Sequence, residues 1–409
     1  MKFIYYILLI ISLSIQLFSQ DNYIDSLYNE YNTQEDRAIK VNIKLKIAEF
    51  FIDTDPDSAQ TILQTQEKDL KKVSSTPDLA KYNFLMGECL FNLNEYKAAI
   101  PFYQKSMDLY KELNDEENIA DNLHKIGLCC FYTGQYQEAL YNYHEEVIIA
   151  EKNDYKDRVA HAYQDIGLVY SEIKTYNKAQ QYYEKALAIN KEINNTEKIA
   201  ALYQNIGVIH HNKENFDTAL MYYQKSLDIY QQLEHKLGIA SSYLNIGLIY
   251  ETMNDDRAVD NYQHAKIMFE EINHARGIIY ALNSLSIYTK NKGYYNEAIE
   301  YINESIELAV KYHLIETLVE SYREASEEHT SLNNHKEALY YYKKYAHLND
   351  SLYNANNVRQ ILELEMKYQS EKFERKLQEE KNKNKLYIAG FILIFILFII
   401  IFITILKRN

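Results

Sequence analysis

Cysteine, histidine and acidic side chains are where chemistry would begin, and in this 409-residue sequence they are sparsely arranged. The three cysteines, Cys89, Cys129 and Cys130, are odd in number and lack CxxC spacing, so they support neither a disulfide framework nor a zinc knuckle. Cys89 and Cys129 stand forty residues apart, which predicts two equivalent core positions for a small, soft side chain. His144-Glu145-Glu146 and His210-His211 come nearest to metal clusters, but HExxH is absent, and the sequence predicts no metal and no cofactor. A serine nucleophile on a G-x-S-x-G elbow is missing, as are GxGxxG and GxxxxGK[ST] for holding phosphates. The ten glycines have other places: five recur in a repeat, Gly134 and Gly293 follow seven residues after the repeated small residue, Gly238 and Gly277 precede it by nine in an inter-repeat turn, and Gly390 lies in a C-terminal apolar run. These absences together predict a protein that is not an enzyme.

Composition limits the partners. The net charge is −14, and residues 359–385 are net positive, so residues 21–358 form a strongly acidic body that repels phosphate backbones. Nucleic acid is therefore excluded as the expected ligand. With only 10 Gly and 3 Pro, the chain has few breakers, which predicts long helices joined by short turns.

The elements come from a repeat. Gly87, Gly127, Gly167, Gly207 and Gly247 recur at intervals of forty, each in a similar phrase such as Asn205-Ile206-Gly207. Twelve residues later stand Ala99, Ala139, Ala179 and Ala219, with Ala258 one residue early, and four further on Tyr103, Tyr143, Tyr183, Tyr223 and Tyr262. The register continues through Ser286, Ala298 and Ile302, then Ser326, Ala338 and Tyr342, and Ala48 and Ala59 mark a divergent first copy over about 41–78. The small residue and the alanine let two antiparallel helices approach closely, and the tyrosine is predicted to fill space toward the next repeat. One such hairpin cannot bury both faces, so about eight must stack.

In these positions the chain resembles the tetratricopeptide-repeat (TPR) family, with Tyr163, Tyr203, Tyr243 and Tyr322 at its early aromatic position. The forty-residue unit resembles the subgroup with longer helices. The resemblance implies an all-α, right-handed superhelical solenoid whose first helices line a concave groove. Positions six, three and two before the small residue, and one and four after it, share that face. They give a polar set of His124, Lys125, His161, Gln164, Asp165, Gln204, Asn205, His211 and Asn245, with Asp121 beside them. In long-repeat relatives an asparagine two before the small residue grips the backbone of an extended peptide. Asn205 and Asn245 match it, while Lys125, Asp165, Ser284 and Glu324 depart from it. The expected partner is thus a protein or peptide.

The ends suggest a place in the cell. Residues 1–19 read as a signal peptide, with Lys2, an apolar run from Phe3 to about Leu17 and cleavage expected after Ser19. Residues 20–40 are expected to form a helical cap and 41–350 the solenoid. Residues 351–385 are expected to form a charged helix whose Leu362, Met366, Phe373 and Leu377 approximate a coiled-coil seam for a homodimer. Leu386 to Leu406 contains no charge and is long enough to cross a bilayer, leaving 407–409 as a cytoplasmic tail and the repeats in the periplasm. This order resembles the extracytoplasmic input region of bacterial sensor kinases and regulators without their output domain. It gives an alternative expectation, a signal-input receptor working through a membrane partner.

Overall fold

The computed structural model describes residues 23–349, apart from residues 74 and 333 and the side chains of 67–69, 71–73 and 349. The expected signal peptide, charged linker helix, membrane span and tail all lie outside these residues. Among the described residues no helix is long and apolar enough to cross a membrane.

All regular structure among the described residues is helical. Helix α1 covers 23–33. It is followed by eight helix pairs: α2 (Arg37–Phe51) with α3 (Pro56–Val73), α4 (Thr76–Asn92) with α5 (Tyr96–Leu113), α6 (Glu116–Tyr132) with α7 (Tyr136–Lys152), α8 (Lys156–Glu172) with α9 (Tyr176–Glu192), α10 (Thr196–Asn212) with α11 (Phe216–Gln232), α12 (Lys236–Thr252) with α13 (Arg257–Glu271), α14 (Ala275–Asn291) with α15 (Tyr295–Lys311), and α16 (Ile315–Ser331) with α17 (His335–Asn349). The first pair opens earlier than the repeat register suggested, because the Asp36 carboxylate accepts from the amides of Ala38 and Ile39 and starts α2 at Arg37.

Each helix packs on its neighbours in sequence, and the first helices α10, α12, α14 and α16 also touch one another. Ala99, Ala139, Ala179, Ala219, Ala258 and Ala298 are fully buried where the paired helices meet. The tyrosine four residues on reaches the next repeat as expected, Tyr223 clustering with Ile246 and Ile249 and Tyr262 with Leu285 and Tyr288, and it also makes a contact the pattern did not show. It folds back over the glycine of its own repeat: a Cβ built on Gly87, Gly127, Gly167, Gly207 or Gly247 would lie 2.5–2.6 Å from the ring of Tyr103, Tyr143, Tyr183, Tyr223 or Tyr262. All five rings are at most 2 % exposed, a burial worth roughly 2 kcal/mol each. Where serine replaces the glycine the seat is lost. Ser286 faces the smaller Ile302, and opposite Ser326 the equivalent Tyr342 is 56 % exposed. Both serines instead donate to the carbonyl of the repeat's alanine, Ser286 to Ala298 at 2.7 Å and Ser326 to Ala338 at 3.0 Å.

The helices end alike. A residue in the left-handed region stands in the turns within pairs, at Asn94, Gly134, Lys174, Glu214, Asn254 and Gly293, and between pairs at Asn114, Asp154, Asn194, Glu234, Asn273 and His313. At Gly134 the amide donates to Phe131 O and the next amide reaches Cys130 O at 2.8 Å, which closes the helix in a Schellman motif. Gly238 and Gly277 sit inside the first turns of α12 and α14, not in the preceding turns. The His235 and His274 Nδ1 atoms accept their amides at 3.0 Å, and the Tyr230 and Phe269 rings press where a Cβ would be.

Candidate functional site

The first helices present one polar wall, and the structure divides its predicted residues by what they already hold. Lys125 is engaged, its ammonium 2.8 Å from Glu88 and near the Phe91 ring. Gln204 ties α10 to α12 by donating to Ser242 Oγ at 2.9 Å and more weakly to Gly238 O. Asn283, at the same place in its repeat, bonds Ser321 of the next first helix at 3.3 Å. In these two repeats the side chain three before the small residue fastens one first helix to the next. His211 packs edgewise on Phe216 near the turn. Asn205 and Asn245, both half-buried, have no hydrogen-bond partner for their amides among the described residues.

His124, His161 and Gln164 line a cavity of about 320 Å³ that runs from α6 to the start of α10, and Asp165 lies buried beside His124. His124 comes from α6, and His161 and Asp165 lie one turn apart on α8, so the two histidines meet across successive repeats with ring centroids 4.9 Å apart. One ligand-type atom from each of His124, His161 and Asp165 lies within 4.8 Å of the others. This grouping differs from the expected absence of any metal-type cluster, because its members are 37 and 41 residues apart and no linear motif records them.

The site has two further members that the sequence did not place here, Glu146, singled out only with its neighbour His144, and Arg158. Glu146, on the second helix α7, is 1 % exposed and lies 3.2 Å from His124 Nδ1. Arg158 donates to Asp121 at 2.7 Å and stands 3.5 Å from Glu146. Their signal would have been a carboxylate on the buried face of a second helix, which period alone predicts to be apolar. Asp165 is buried, and its Oδ2 has no hydrogen bond, lying 3.6 Å from His124 Nδ1. Burial pushes its pKa up to about 7, with His124 opposing and Glu146 adding to the rise. For His124 burial disfavours the charged ring, yet the hydrogen bond to Glu146 and the charges of Glu146 and Asp165 outweigh it and raise its pKa. His161 is lowered to about 4, first by desolvation against the wall and then by His124.

Of the sequence-adjacent candidates, Glu146 joins this cavity, while His144 and His210 pack on tyrosines. The His144 ring packs on Tyr182 and the His210 ring stacks on Tyr222. Cys89, Cys129 and Cys130 are buried free thiols, each pushed up to about 12 by desolvation, far from the thiolate character that nucleophiles need.

Two tetratricopeptide-repeat profiles match the chain, one at residues 77–147, 118–192 and 198–271 and the other at 280–310. No curated protein matches by sequence. Among solved structures, the apo form of the quorum sensor NprR from B. thuringiensis superposes with a TM-score of 0.60 at 18 % identity, covering 82 % of this chain and 94 % of that one. Aspartyl phosphate phosphatase F from Bacillus subtilis gives 0.59 at 14 %, covering 85 % and 95 %, and the apo form of RapI gives 0.57 at 17 %, covering 67 % and 99 %. At these identities the likeness is one of fold. Repeat phrase, eight stacked hairpins and profile matches agree: the chain belongs to the tetratricopeptide-repeat family.

Proposed function

We propose that the protein is a scaffold that holds a protein or extended peptide along the wall of first helices, between the repeats of Lys125 and Asn245. The observation that carries this reading is the pair Asn205 and Asn245, equivalent in successive repeats, half-buried, and with amides left without a partner among the described residues. An amide offers a donor and an acceptor together, which matches a peptide bond without fixing its sequence. A protein of the same fold, NprR, has been solved with its cognate peptide NprX, superposing at a TM-score of 0.51 and 18 % identity. Peptides selected from a displayed library on the purified full-length chain should bind the Asn205→Ala/Asn245→Ala variant at least tenfold more weakly at unchanged helix content. Equal affinity would remove the reading.

The proposal places this scaffold in the periplasm, tethered by residues 386–406, on the apolar run at each end of the sequence. Alkaline phosphatase needs disulfides that form outside the cytoplasm. Fused after residue 355 it should be active, and fused after residue 409 inactive; the reverse pattern overturns the placement.

A further inference from the structure

We propose that His124, His161 and Asp165 bind a divalent first-row transition ion of the zinc class, with Glu146 orienting His124. The donor set comes first. Two imidazoles and one carboxylate suit Zn²⁺ and its neighbours, and three protein ligands leave coordination positions open toward the cavity. Hard ions such as Mg²⁺ would ask for more oxygens than the three residues supply.

The second observation is independent of the cluster. Asp165 Oδ2 is buried with no hydrogen bond, an expensive state for a carboxylate that a cation would resolve. Around it the support is already arranged. Glu146 fixes the His124 ring, and Arg158 holds Glu146 while engaging Asp121. A carboxylate behind a ligating histidine is the usual device for setting ring orientation. Ligand bonds of about 2.0–2.2 Å place donor atoms roughly 3.3 Å apart, so the present 4.8 Å spread must contract by about 1.5 Å. Since His161 borders open space, rotation about its side-chain bonds supplies that contraction. Lys198 also lines the cavity.

This inference concerns the first part of the same wall and does not rest on the peptide reading, whose asparagines lie in later repeats. The test uses the tag-free, full-length chain stripped with chelator and titrated calorimetrically with Zn²⁺, with Co²⁺ absorption as a spectroscopic check. One equivalent should bind, and His161→Gln and Asp165→Asn should each weaken it tenfold or more. The His210→Gln variant should match the wild type, since that ring stacks on Tyr222. Circular dichroism of each variant separates lost ligation from lost folding. Binding well below one equivalent, or wild-type affinity in folded His161→Gln, overturns the proposal.

Discussion

At Glu328 the protein keeps a carboxyl fully out of water, bonded to Ser286, with its second oxygen lacking a hydrogen bond. Burial pushes its pKa from the usual 4.5 up to about 7, the Ser286 bond and Lys290 opposing the rise. The folded state therefore binds this proton more tightly than the unfolded chain. Stability contributed here is full below pH 4.5 and lost as pH rises through 7. Glu328→Gln should remove that loss, stabilising the protein by about 2 kcal/mol at pH 8 and by little at pH 4.5. Thermal unfolding of both proteins across that range checks it, and parallel curves would refute it. The repeat register marks position 328 as core, since Cys89, Cys129, Val169, Ile209 and Ile249 at the same place are fully buried, but it does not show what a carboxyl there would bond, because Ser286 stands two helices earlier. Asn205 and Asn245, by contrast, were legible, since their position in the repeat fixes the face they occupy.

At the scale of the element, each turn from α4 to α16 asks one residue to adopt a left-handed conformation, and the sequence answers unevenly. Gly134 and Gly293 enter it freely, Asn94, Asn194 and Asn254 at small cost, and Lys174, Glu214 and Glu234 at a larger one. Glu214 is exposed, with φ of 61°, so Glu214→Gly should stabilise the protein by about 0.5–1 kcal/mol, and Gly134→Ala should cost about 1 kcal/mol. Urea unfolding monitored by circular dichroism measures both, and a destabilised Glu214→Gly would contradict the account. The helices themselves were readable from the forty-residue period, but their links were not. Gln204 looked free because its partner Ser242 belongs to the following hairpin, 38 residues on. Likewise a one-dimensional pattern records that Gly127 and Tyr143 recur together, not that the ring rests on the glycine.

On the scale of the molecule, a stack of hairpins is held by neighbour contacts alone, so properties that need only one hairpin were visible in the sequence. The number of pairs, the buried alanines and the shared polar wall follow from a single unit repeated. What needed coordinates was whatever two units build jointly, above all the meeting of His124 and His161 with Glu146 behind them. The first pair escaped for the opposite reason. It lacks the glycine and tyrosine signature, and Asp36 rather than the repeat register sets where it begins.

The seating of each tyrosine on a glycine of its own hairpin has an evolutionary corollary. Because that lock closes within one unit, a unit can be duplicated or excised by recombination without leaving a ring that has no seat. The lineage is then free to lengthen or shorten its binding wall a hairpin at a time. The cluster that straddles two units cannot travel that way: a crossover between Tyr132 and Lys156 would separate its histidines.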